Sequence, residues 1–289
     1  MKYLDIRETA KEHKNYSIQK MCQILKVSHS GYYQWCNRCE SLHKRKDLEL
    51  KEKIKTIYEQ HQKRYGSPRI HGDLRSQGIR CSRKRIERLM REIGIKAIHK
   101  RQFRVTTKSD HNYPVAQNIL DRNFQADAPN QKWVADITYI RTFEGWMYLA
   151  AVMDLYSRKI VGWAMSRTMT ATLATTALEM SIHRRHPPKW LLHHSDRGVQ
   201  YASKEYRKLL KKHGMVCSMS RKGNCWDNAP MESFFSTLKA ECVAGKIYLT
   251  RAQAQREIFE YIEIYYNRKR IHSAIDMVPE FYENQRKCA

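Results

Sequence analysis

Between residues 16 and 98, apolar positions recur at intervals of three and four, the period of one helix face. Ile18, Met21, Cys22 and Leu25 form such a stripe behind Ser17, a residue suited to capping a helix. Val27 and Ser28 then turn the chain into a second short helix bearing Tyr32, Tyr33 and Trp35. Two short helices across a tight turn predict a helix-turn-helix-like region over residues 1–45. A second helical region, residues 46–98, carries the stripe Leu50, Ile54, Ile57 and Tyr58 and a loop at Arg64–Arg69. It closes with a helix capped by Ser82, with Ile86, Leu89, Met90 and Ile93 inward and Gly94 as its stop. The periodicity is lost over 99–129, which reads as a basic linker running into the turn at Pro129-Asn130.

Beyond the linker the pattern becomes that of strands. Trp133–Ile140, Trp146–Met153 and Lys159–Met165 predict three strands joined by turns at Glu144-Gly145 and Ser157-Arg158. A helix carrying Leu173, Ala177, Leu178 and Ile182 follows, then a short strand at Trp190–His193, and two further helices flank a strand at Met215–Met219. Three meandering strands, a helix, then strand–helix–strand–helix predict an α/β layered domain over 130–289.

Charge narrows the partner. The 289 residues carry 54 Lys and Arg against 29 Asp and Glu, a net +25. Such an excess repels itself unless it meets a polyanion, and DNA leads over an anionic membrane surface. Residues 51–110 alone hold net +12, so the second helical region is the predicted electrostatic footprint, with Arg83, Lys84, Arg85, Arg88 and Arg91 on the outer positions of its last helix. Apolar runs long enough to span a bilayer and a secretory leader are both missing, so a cytoplasmic, nucleoid-associated location is expected. The eight cysteines then read as free thiols. Cys36-x-x-Cys39, with Cys22 and His43 nearby, lacks the second ligand pair that a structural zinc needs.

Three carboxylates stand in chemically suggestive positions. Asp136 lies inside the first β-rich run, where a charge is expensive unless it is paired or holds a metal. Asp196 follows a short apolar strand, at the end where α/β folds place their chemistry. Glu232 opens a helix, with Asp227 or Asn228 as its cap and Pro230 in its first turn. Hard oxygen ligands of this kind suit Mg²⁺, with Mn²⁺ as a substitute, and two ions would serve an in-line phosphoryl transfer. Arg197 is either a phosphate contact or a partner for Asp196. Ser220–Asn228, with Arg221 and Lys222, reads as an active-site loop. Arg268, Lys269 and Arg270 on a late helix are expected at phosphates. Asp154 is expected in a turn. His193 and His194 are open between packing and a role at the site.

The spacing and the local sequences together carry a resemblance. There are 59 residues between Asp136 and Asp196, and 35 between Asp196 and Glu232. Lys132–Tyr139, His193–Tyr201, Ser220–Lys239 and Tyr265–His272 with Pro279-Glu280 are similar to the corresponding stretches of integrase-type transposases and, more narrowly, of the OrfB proteins of the insertion-sequence-three family. Upstream, Tyr65-Gly66, Arg69-Ile70 and Arg88–Ile95 continue the likeness, which spans about residues 16 to 283. The chain departs from the family's pattern at Ala274–Val278, a segment far in sequence from the carboxylates. The resemblance implies an RNase H-like core with a mixed five-stranded sheet flanked by helices, two Mg²⁺ ions, and cleavage and joining of DNA at element ends. It also implies that Lys239 contacts element-end DNA, and that the product of an upstream frame is a candidate partner by fusion or association; pairing two DNA ends is expected, on geometric grounds, to need at least a homodimer. The competing readings are a non-catalytic DNA-binding regulator and a plain RNase H-like nuclease.

Overall fold

The computed structural model describes residues 2–13, 15–37, 41–96 and 114–285. Cys39 and residues 99–113 of the expected linker lie outside the described residues. The chain divides into two compact units, Met1–Lys53 and Ile54–Ala289.

In the first unit, helices α1 (Lys2–Glu12), α2 (Ile18–Ile24) and α3 (His29–Cys36) bury Ile6, Cys22 and Tyr32 against one another. Ser28 starts α3 by accepting the Gly31 N–H at 3.2 Å. Cys36 is exposed. Among the described residues no cluster of three His, Cys, Asp or Glu side chains is arranged to hold a metal.

The second unit begins within α4 (Leu42–Gln60), whose Ile54 and Ile57 are buried, and continues through α5 (Ser67–Ser76) and α6 (Arg83–Glu92). Pro68 in the first turn of α5 and Ser82, which accepts the Arg85 N–H, start these two helices. Ile86, Leu89 and Met90 give α6 its buried stripe.

The sheet consists of β1 (Lys132–Thr142), β2 (Gly145–Asp154), β3 (Ile160–Ser166), β4 (Leu192–Ser195) and β5 (Val216–Met219), in the order β3-β2-β1-β4-β5. The first three strands meander antiparallel, and β4 and β5 add in parallel. Helices α7 (Ala171–Arg185), α8 (Val199–Ala202) and α9 (Lys204–Lys212) supply the connections after β3 and β4. Helices α10 (Ala229–Leu238), α11 (Arg251–Phe259) and α12 (Pro279–Gln285) follow the sheet, with π-helical turns at Lys239–Val243 and Glu260–Tyr266. This is the α/β layering that the sequence pattern predicts, with the mixed five-stranded, helix-flanked sheet that the resemblance implies.

The core lies between the sheet and α7 to α9. Trp133, Ala135, Ala150, Val152 and Val161 meet Leu173, Ala177, Leu178, Tyr206 and Leu210. Gly162 is required there: a Cβ would stand 2.0 Å from Ser181 Oγ and 2.4 Å from the Ala177 carbonyl, so α7 packs directly on the strand backbone. The strand expected at Trp190–His193 starts later and runs to Ser195. Trp190 is exposed, with φ 72°, its N–H donated to the Gly214 carbonyl.

The last helices are tied to α5 and the loop before it by one buried acid. Glu241 accepts three hydrogen bonds of 2.9–3.2 Å from Arg270, one of 2.9 Å from Arg69 and one of 2.9 Å from the Tyr261 hydroxyl. Arg64 donates to the Glu241 carbonyl and lies over the rings of Tyr261 and Tyr265. Tyr65 donates to the Lys269 carbonyl and accepts the Ile271 N–H. Burial alone would raise the Glu241 carboxyl, but Arg270 and Arg69 bring it below its ordinary value.

Candidate active site

Parallel pairing of β1 and β4 sets Trp133 opposite His193, Val134 opposite His194 and Ala135 opposite Ser195. The next residue in each case is an acid, Asp136 within β1 and Asp196 just past the end of β4. Two sequence-distant carboxylates are thereby side by side at the carboxyl end of β4. Each is oriented by a short local bond: Ile137 N–H donates to Asp136 at 2.7 Å, and Gly198 N–H to Asp196 at 2.9 Å. A side chain at Gly198 would crowd Asp196, its Cβ 3.0 Å from Oδ1.

The third acid arrives on α10. Met231, Phe234, Phe235 and Leu238 bury the apolar face of that helix, which leaves Glu232 on the open side. Asn228, immediately before the helix, donates its side-chain N–H to the Ala135 carbonyl at 3.1 Å and so fastens α10 to the strand that carries Asp136. The sequence suggests Asn228 or Asp227 as a helix cap, and the structure uses both elsewhere. Asp227 is fully buried and accepts from Arg221 (backbone N–H and guanidinium), Arg122 and Asn118 at 2.7–3.0 Å.

Burial pushes the Asp136 carboxyl well above the usual range, and Asp196 and then Glu232 push in the same direction. The Ile137 N–H and Lys239 oppose them. Partial burial also raises Glu232. Lys239, two helical turns beyond Glu232, sits with its Nζ 4.4 Å from the Tyr139 ring centroid, and burial lowers its pKa while Asp136 sustains it. Negative charge therefore accumulates at one place, faster than the nearby lysine offsets it. Three carboxylates with no soft ligand among them fit a hard divalent cation. Among the described residues no group of three His, Cys, Asp or Glu side chains is drawn together closely enough to hold a metal ion as it stands.

Around the acids, the two histidines are core residues. His193 shares a hydrogen bond with the Tyr206 hydroxyl at 3.0 Å, and His194 bridges Ser218 and Ser220 at 2.9 and 3.1 Å. Burial lowers them to about 3 and about 4, so both are neutral. Asp154 is fully buried and holds the turn through Asn130 N–H, Tyr156 N–H and Arg185. Arg197 donates to the Ser220 carbonyl at 2.6 Å.

The expected phosphate contacts are dispersed. Arg221 grips Asp227 with its side chain about half exposed, and Lys222 is exposed beside it. On α6, Lys84 is exposed, and Arg83 and Arg88 pair with Glu87 and Glu92 one turn on. The run that reads as an uncompensated basic face carries acids within it. Arg268 is mostly exposed and lies 3.3 Å from Glu280. Arg270 departs from expectation: it is buried, with its guanidinium committed to Glu241, so it is a structural cation and not a phosphate contact.

With this geometry in place, the matches to known proteins are specific. Residues 126–225 and 232–286 match models described as integrase core domain, and residues 44–103 match a model described as HTH-like domain. The chain is 42% identical over 288 residues, 99% of each chain, to the transposase InsF for insertion sequence IS3A of Escherichia coli strain K12. It is 47% identical over 255 residues, 88% of this chain and 94% of the other, to an uncharacterized 31 kDa protein of insertion element IS600 from Shigella sonnei. Among solved structures, the HTLV-2 integrase catalytic core domain in complex with magnesium matches 55% of this chain and 99% of its own, at 14% identity and a TM-score of 0.41. The chain belongs to the InsF family of IS3 insertion-sequence transposases, enzymes with an integrase core.

Proposed function

We propose that Asp136, Asp196 and Glu232 form the catalytic centre for cleavage at insertion-element ends and for joining those ends to target DNA. The observation that carries this reading is the β1–β4 register, which brings Asp136 and Asp196 together from 59 residues apart on a strand pair that α10 closes with Glu232. These three acids would hold two Mg²⁺ ions, with Mn²⁺ as a substitute. Bound there, the ions would supply Lewis acidity to both the entering and the departing oxygen of an in-line displacement.

The chain's own residues aim and hold. Ile137 N–H and Gly198 N–H fix the rotation of the two aspartates. Lys239 stands within electrostatic reach of Asp136, where a phosphate of the element end would find a cation. Arg197, next to Asp196 in the chain and bonded to the Ser220 carbonyl, and Arg221 and Lys222 just beyond it would meet neighbouring phosphates. On this reading residues 1–45 and 46–98 are DNA-binding segments, with Lys84, Arg85 and the partly paired Arg83 and Arg88 at the backbone, and Arg268 a peripheral contact. Residues 99–129 link them to the catalytic core, 130–289. On this reading water attacks first and releases a 3′-OH at the element end, and that 3′-OH then attacks the target phosphodiester and displaces a target 3′-oxygen, so no covalent protein–DNA adduct forms. Synapsis of two ends requires at least two copies, and fusion to an upstream-frame product would supply further end recognition.

The test is a strand-transfer assay on labelled element-end DNA with Mg²⁺ or Mn²⁺, comparing wild type with Asp196→Asn. Metal-dependent joined products that vanish in the variant while band-shift binding persists are expected. Products that survive the substitution would overturn the assignment.

A further inference from the structure

Trp226 is mostly exposed, 68%. An indole left in water forgoes much of the stabilisation that its burial would bring, and single exposed aromatics still need no explanation by themselves. What sets this one apart is its support. The next residue, Asp227, is fully buried and held by Arg221, Arg122 and Asn118. The one after, Asn228, is buried and bonded to the Ala135 carbonyl, which belongs to the peptide that leads into Asp136. Trp226 is thus presented to solvent from a pedestal fixed on both the loop and the catalytic strand.

Other exposed aromatics lie elsewhere. Trp190 precedes the amino end of β4, opposite the end that carries Asp196. Phe143 sits at the β1–β2 hairpin tip, about 20 Å along the strand from Asp136 at the usual rise per residue. Trp226 is the one of these three followed within two residues by a side chain bonded to the Asp136 strand, Asn228 to the Ala135 carbonyl.

We propose that Trp226 is a base-stacking residue, taking the face of a nucleobase unstacked next to the scissile phosphate. This rests on the proposed function and extends it. The chemistry matches on three counts. Every base offers a π-face to an indole. Arg221 and Lys222, four and five residues earlier, bring positive charge for the adjoining phosphates. An indole carried on a fixed stretch of backbone has only two side-chain torsions to order on binding. Where the end of the duplex opens beside the acids, a stacking platform would stabilise the freed base.

The experiment is a double-mutant cycle on DNA carrying the element's own termini, with affinity measured without divalent metal. Trp226→Ala is combined with single abasic nucleotides walked through the positions flanking the cleavage point. On intact DNA, Trp226→Ala should weaken binding roughly ten- to a hundredfold, and Trp226→Phe should restore most of it. At one abasic position the Ala substitution should have no further effect. Thermal melting of the free variant should match wild type, since the side chain is exposed. Wild type that binds and joins DNA, with Trp226→Ala equal to it on intact DNA or equally impaired at every abasic position, would overturn the stacking role and leave the catalytic assignment standing. Wild type that neither binds nor joins these ends would overturn both.

Discussion

Asp136 and Asp227 are both held against the same sheet, and their surroundings pull their protons in opposite directions. Asp227 is fully buried among Arg221, Arg122 and Asn118, and hydrogen bonds from Arg221 hold its carboxyl far below the ordinary range. Glu241 is of the same kind, with Arg270, Arg69 and Tyr261. Asp136 has Asp196 and Glu232 for company and is pushed up. A buried acid surrounded by arginines holds the fold; one surrounded by other acids stores unfavourable charge that a bound cation can relieve. Asp154 lies between the two cases: burial raises it, while two amides and Arg185 pull it down.

The sharpest way to break that contrast is to neutralise one member of each group. Asp136→Asn should reduce strand transfer roughly 10³-fold or more while DNA binding persists, as seen in paired activity and band-shift measurements. Glu241→Ala should instead act on stability. Removing one partner of a buried ion pair strands Arg270, and the loss should be about 3–5 kcal/mol in urea denaturation. A Glu241 variant as stable as wild type would remove the structural half of the contrast.

Acid should reveal the neutral core beneath the site. His193 and His194 are lowered by burial to about 3 and about 4, against about 6.5 in an unfolded chain. Below pH 6.5 the unfolded state takes up protons that the folded state refuses, so stability is complete above that value and falls as pH drops toward 4. Each histidine contributes a slope of up to about 1.4 kcal/mol per pH unit. Urea midpoints unchanged between pH 7 and pH 5 would contradict their burial as neutral rings. The smallest effect is the most diagnostic: in metal-free buffer Asp136→Asn should raise the melting temperature, gaining about 1 kcal/mol, because it removes repulsion that the apo protein carries. A destabilised variant would mean that Asp136 belongs with Asp227.

Much of the fold was legible because periodicity is local. The change from helical to strand spacing near residue 130 marks the sheet, and Asp136 stands out as a charge within an apolar run. Strand limits were less secure. Trp190 looks like the start of β4, yet it is an exposed turn residue, since a short apolar stretch does not state its own phase. What could not be read were partnerships between distant residues. Arg122 reaches Asp227 across 105 positions and Arg69 reaches Glu241 across 172, and neither spacing carries a pattern. Arg270 therefore looked like a surface cation in a basic run. The i,i+4 acids Glu87 and Glu92 on α6 were visible in the sequence, but a net charge summed over sixty residues does not say which bases they pair.

The Glu241 hub also bears on how precisely this unit can place a cut. The loop before α5 and the first turn of α5 are fixed to the helices after the sheet through Arg64, Tyr65 and Arg69, by bonds between residues 172 to 206 positions apart. Loosening Arg69 or Glu241 should therefore blur the position of any cleavage product on the DNA, read to the nucleotide on a sequencing gel. In that respect the protein behaves as a calliper whose jaws are locked by one carboxylate.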